Sequence, residues 1–73
     1  MMYSLKTSNS FLHDLKTCKK RGYDMDRLWS VIGKLQNGEY ECHIGSDWLL
    51  IWEQNDTELT LLMLSTGTHS DLF

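Results

Sequence analysis

The chain has 73 residues, 41% of them hydrophobic, with three Trp, three Tyr, two Phe and a formal net charge of −3. A chain this short buries only about 60% of the surface its unfolded form exposes, which leaves room for one domain, residues 1–73, with a single core. Its aromatic content excludes disorder, no apolar run approaches the roughly 20 residues that span a bilayer, and the polar start "MMYSLKTSNS" lacks the apolar stretch of a signal peptide. A cytoplasmic protein with no membrane partner is expected, and two cysteines, Cys18 and Cys42, are too few for a disulfide framework and are read as reduced.

Charge is divided unevenly. All seven cations, Lys6, Lys16, Lys19, Lys20, Arg21, Arg27 and Lys34, precede residue 35 and face only Asp14, Asp24 and Asp26, so that part carries +4. The remainder has seven carboxylates and no Lys or Arg, and carries −7. Any nucleic-acid surface must lean on the first part.

Along the chain, "MYSLKT" alternates Tyr3 and Leu5 against Ser4 and Lys6, which predicts a short half-buried strand. "SNSFLHDLKTCKKRG" sets Phe11, Leu12, Leu15 and Cys18 at helical spacing behind a Ser8 or Asn9 cap, with cations in the last turn and Gly22 as the stop. "DMDRLWSVIGKLQNG" repeats the scheme: Asp24 caps, Met25, Leu28, Val31, Ile32 and Leu35 form the stripe, and Gly38 terminates. The period then changes from 3.6 to 2. "EYECHIG" predicts a strand with Tyr40, Cys42 and Ile44 on one face and Glu41 and His43 on the other. "DWLLIWE" and "ELTLLMLSTG" read as central strands joined through the turn "QNDT", with Trp48, Leu50 and Trp52 on a common face. The order β-α-α-β-β-β predicts an α+β fold in two layers, with both helices on one face of an antiparallel sheet.

Residue types alone support chemistry weakly. His43 faces away from the predicted core, Asp47 follows at a strand junction, and His69 lies beyond the last strand; two imidazoles and a carboxylate can move protons. Two surface histidines and a turn aspartate is the plainer reading. His43, Asp47, His69 and Cys42 match no zinc spacing, so no metal or cofactor is expected. His13 falls off the first helix stripe and is read as solvated, and the tryptophans as core more than as base-stacking platforms.

Together "ECHIGSDWLLIWE" and "ELTLLMLSTGTHSDLF" resemble the C-terminal half of YafQ-type toxins of the RelE superfamily, and "RGYDMDRLWSVIGKLQNGE" resembles their second helix. The resemblance implies a toxin of a type II toxin-antitoxin system, a metal-independent mRNA endoribonuclease that acts in the ribosomal A site and is silenced by a cognate antitoxin. Carried onto this chain it implies His43 and His69 as acid-base residues, Asp47 as a catalytic or orienting carboxylate, and Phe73 as an aromatic that positions substrate or closes the site. That gives the ending "TGTHSDLF" a reason to be held in place. Two departures from the family pattern are expected to lower or abolish activity: "NGEYECH" joins helix to strand without the family's histidine-bearing basic loop, and Ser65 stands where relatives have Arg. A cation or donor on a developing oxyanion contributes about 10² to 10³ in rate and an acid or base about 10² to 10⁴. The alternative is a non-catalytic module that binds an antitoxin or a second copy of itself through an exposed sheet edge.

Overall fold

The computed structural model describes residues 2–40 and 43–73. Ser8 caps the first helix, accepting a hydrogen bond from the Phe11 N–H, and Asp24 caps the second through the Asp26 N–H. These caps open α1 (Asn9–Lys20) and α2 (Met25–Gln36), which follow strand β1 (Ser4–Thr7). Gly22 and Gly38 both take positive φ just past the helix ends, where side chains other than glycine are strained. Strands β2 (His43–Gly45), β3 (Trp48–Asn55) and β4 (Thr60–Gly67) come next, and a one-turn helix α3 (His69–Leu72) closes the chain. No described helix is long and apolar enough to cross a membrane.

The class and element order match the sequence expectation, with two differences of detail. The sheet order is β1-β4-β3-β2; β2, β3 and β4 pair antiparallel, but β1 pairs parallel with β4, making the sheet mixed. Alternation of apolar and polar residues is identical in both directions, so the pattern carries no strand polarity. The third helix is the other difference. It was hidden because four residues provide no apolar period.

Both long helices cover one sheet face. Phe11 and Cys18 from α1 and Leu28, Val31, Ile32 and Leu35 from α2 pack on Ile44, Trp48, Leu50, Leu61 and Met63. The Cys18 thiol is free and buried, and burial raises its pKa. Leu12, expected in the stripe, is 46% exposed; Phe11 and Cys18 set the buried line, and Leu12 falls on its flank. Ile44 is buried and His43 exposed, as the alternation predicted, whereas Tyr40 precedes β2 and is 84% exposed. Glu41 and Cys42 lie outside the described residues.

Register is the feature that positions the site. Ile51 pairs with Ser65 but Trp52 pairs with Met63, so β4 carries one extra residue at a bulge. Inward phase on β4 therefore passes from Leu61 and Met63 to Thr66, while β3 keeps Trp48, Leu50 and Trp52 on the core side. Thr66 is 2% exposed and fully bonded: the Trp48 Nε1–H donates to its Oγ1 at 3.0 Å, and its hydroxyl donates to the Leu49 carbonyl at 2.8 Å.

Leu28 is fully buried at the centre of this core. Leu28→Ala is expected to lower unfolding stability by about 2–5 kcal/mol, whereas Leu12→Ala should stay within about 0.5 kcal/mol. Urea unfolding of both variants checks the contrast, and equal losses would show that Leu12 belongs to the core.

Candidate functional site

Asp47 sits in the two-residue turn between β2 and β3, since Gly45 pairs with Trp48. Gly67 ends β4 opposite Leu49. Two residues beyond each partner the chain meets itself. Asp47 Oδ1 lies 2.7 Å from His69 Nδ1 and 3.1 Å from the His69 backbone N–H.

That contact has a defined chemistry. The hydrogen bonds from the His69 ring and backbone hold the Asp47 carboxyl below the usual carboxylate range, so at neutral pH it is an anion and can only accept. The proton between them therefore resides on Nδ1, which leaves Nε2 as the lone-pair nitrogen of the neutral ring. Both side chains are about three-fifths exposed, so the pair faces solvent where a substrate can reach it. Phe73 stands beside the imidazole, ring centroids 6.2 Å apart and tilted by 38°, with its own backbone N–H bonded to the His69 carbonyl. It is 84% exposed, free to meet a ligand.

His43 is placed separately. It pairs with Leu49, which pairs with Gly67, so the three residues form one row across three strands. Two strand spacings put His43 and Gly67 about 10 Å apart along that row. The structure thus joins Asp47, His69 and Phe73 directly, and stations His43 across the same end of the sheet.

Residues that the motif reading did not assign to the site hold the tail in place. Thr68 and Asp71 form a reciprocal capping box: the Asp71 N–H donates to Thr68 Oγ1, and the Thr68 N–H donates to Asp71 Oδ2. The same carboxylate takes a two-pronged contact from Arg21 at the end of α1, at 2.6 and 3.2 Å. The Arg21 guanidinium drives the Asp71 carboxyl far below its ordinary value. A Cβ on Gly67 would come within 2.9 Å of Asp71 Cβ, so glycine is required for this close approach. The Thr-x-x-Asp spacing was the available signal for the cap. Nothing in the sequence links Arg21 to a residue fifty positions away.

Ser65, where the family pattern has Arg, is engaged elsewhere. Its hydroxyl donates to Asp14 Oδ2 at 2.7 Å, and the Thr66 N–H donates to the same oxygen at 3.2 Å. β1 pairs β4 only as far as Met63, so Asp14 of α1 satisfies the strand edge where β1 stops. As for metals, Asp47 and His69 offer two donors. Among the described residues no third His, Cys, Asp or Glu joins them, so this donor set falls short of a protein metal cage.

With this geometry in view, the comparisons with known proteins converge. Residues 36–73 match the family model described as a bacterial toxin of the type II toxin-antitoxin system, YafQ. A metal-bound toxin from Helicobacter pylori superposes with a TM-score of 0.91 at 30% identity, covering 99% of this chain and 100% of that one. The E. coli DinJ-YafQ toxin-antitoxin complex aligns with a TM-score of 0.85 at 25% identity, covering 100% of this chain and 99% of the other. YafQ from E. coli aligns at 0.83 and 26%, covering 97% and 98%. No curated protein matches the sequence. The fold and the matches define a bacterial toxin of the RelE superfamily. The chain belongs within it to the YafQ family of type II toxin-antitoxin toxins.

The tail clamp predicts coupled behaviour. Arg21→Gln and Asp71→Asn should each remove hydrogen-exchange protection from the Phe73 amide, and the double variant should lose no more than either single one. Because the folded Asp71 pKa is depressed, its contribution is present above the ordinary value of 3.8 and is lost as pH falls through the lower folded value. The Arg21–Asp71 coupling energy, taken from urea unfolding of the single and double variants, should therefore hold constant through neutral pH and fall only below the ordinary carboxylate value.

Proposed function

We propose that this toxin is a ribosome-associated mRNA endoribonuclease controlled by a cognate antitoxin. The observation that carries the reading is the Asp47–His69 pair, an exposed imidazole whose proton position is set by a carboxylate anion. RNA cleavage of this kind needs two proton transfers. A base removes the proton of the 2′-hydroxyl as its oxygen attacks the adjacent phosphorus, and an acid delivers a proton to the 5′-oxygen as the P–O5′ bond breaks, leaving a 2′,3′-cyclic phosphate and a 5′-hydroxyl. His69 and His43 divide these transfers at one end of the sheet, where His43 and Gly67, two residues before His69, stand roughly 10 Å apart. Asp47 fixes the His69 tautomer by accepting from Nδ1. Phe73 offers a base-stacking face beside the reacting ring.

The reading includes a low rate. Ser65 supplies no cation to the phosphorane, and the α2–β2 connection lacks the family's loop histidine. Asp14 Oδ2, 2.7 Å from the Ser65 hydroxyl, bears on any repair. An arginine at position 65 would meet that carboxylate, so restoring the cation requires neutralising Asp14 as well. The antitoxin follows from the E. coli relative, whose structure is a complex with DinJ.

Primer extension on mRNA from translating ribosomes tests the proposal. His69→Ala is expected to reduce cleavage by about 10² to 10⁴ with the fold intact. Asp47→Asn should weaken it less, and Ser65→Arg should raise the rate more in an Asp14→Asn background than alone. Cleavage unchanged in His69→Ala would end the enzymatic reading and leave a toxin that acts by binding.

A further inference from the structure

The chain carries no cation at the position from which its relatives' pattern supplies one, yet the structure brings two others to the site from a different element. Arg27, Ser30 and Lys34 follow the spacing i, i+3, i+7, which places them along one face of α2. All three are exposed, while Leu28, Val31, Ile32 and Leu35 occupy the buried face. The exposed row faces β2. Arg27, Ser30, Val31 and Lys34 line a groove of about 260 Å³ whose other wall is His43 and Ile44. Arg27 also lines a neighbouring recess of about 360 Å³ with Tyr23, Asp47, Trp48 and Thr68. One residue, Arg27, therefore borders both the groove lined by His43 and the recess lined by Asp47.

The other charges make this placement selective. Arg21 is committed to Asp71. Neither Arg27 nor Lys34 has a carboxylate within salt-bridge distance among the described residues, so both charges are available to a ligand. Around the recess the fixed charges are otherwise negative, from Asp24 and Asp47. A polyanion approaching Asp47 and His69 would be repelled there without the α2 cations.

We propose that Arg27 and Lys34, with His43 opposite them, form a phosphate-binding track that leads an RNA strand from α2 to the Asp47–His69 pair. The assignment rests on the nuclease reading given above. Arg27, at the junction of the two recesses, contacts the phosphate nearest the reacting bond, and Lys34 one farther along the strand. An acidic segment of a protein partner is the competing occupant; a track that ends on a proton-transfer pair favours RNA.

The experiment uses a 2′-O-methyl ribonucleotide hexamer, which cannot be cleaved, and follows its binding by fluorescence anisotropy over a range of salt concentrations. Arg27→Ala with Lys34→Ala should weaken binding and flatten the slope of log K against log salt by about 1.4, at about 0.7 per neutralised phosphate on a single strand. Lys19→Ala with Lys20→Ala, which removes the same charge from α1, should leave the slope unchanged, and Arg27→Lys with Lys34→Arg should retain it. Equal slopes for the wild type and the α2 double variant overturn the track, as does an equal loss in the α1 control, which would reduce the effect to net charge. RNA binding unchanged by Arg27→Ala with Lys34→Ala, alongside lost antitoxin capture, overturns it in favour of a protein contact. If the wild type cleaves mRNA on ribosomes and the α2 double variant cleaves equally well, the track alone fails. If the wild type neither binds the hexamer nor cleaves, the nuclease reading fails with it.

Discussion

The β3–β4 ladder is the constraint on which the rest depends. Its eight-residue strands are the longest in the sheet, and their pairing runs from Asn55 opposite Thr60 to Leu49 opposite Gly67. Without the extra residue in β4, side chains beyond the bulge would lie on opposite faces from those observed, because strand alternation has a period of two. Thr66 would then turn its hydroxyl away from Trp48 Nε1, and the buried tie beneath Asp47 would be lost. With the bulge in place, the end of β4 and the β2–β3 turn arrive together, and the short distance from Gly67 to Asp47 is spanned by one capped turn of helix.

That turn does not hold itself. A helix of four residues is too short to be stable alone, because nucleation costs more than its few hydrogen bonds return. Its order comes from outside: Thr68 and Asp71 cap it, Arg21 grips Asp71 from α1, and Asp47 grips His69 from the sheet. Helix layer, sheet and tail are thus coupled through two carboxylates. Asp71 ties the tail to the scaffold, and Asp47 uses that order to set the histidine proton.

The same economy of charge explains the departures from the family pattern. Ser65 and Thr66 share the Asp14 carboxylate at the edge left open by β1, which makes that edge an acidic seam and not a phosphate seat. Cations of α2 lie on the other flank of the site, against β2. A chain whose last 39 residues contain no Lys or Arg must meet a polyanion through its first part, and α2 is the element of that part placed beside His43.

Much of this was determined by the sequence alone. Caps at Ser8 and Asp24, the apolar stripes, the change of period after Gly38 and the two apolar strands specify the α+β order, because each rests on neighbours within a few residues. The family motif likewise singled out His43, Asp47, His69 and Phe73. What only the tertiary structure decided depends on residues far apart in the chain. Such facts include the parallel edge strand, the bulge that turns Thr66 inward, the Arg21 grip on Asp71 and the seating of Arg27 between two recesses. Hydrogen bonds and charges between distant segments leave no local period, so the candidate site residues were legible as residue types, while their pairing came from the register of the sheet.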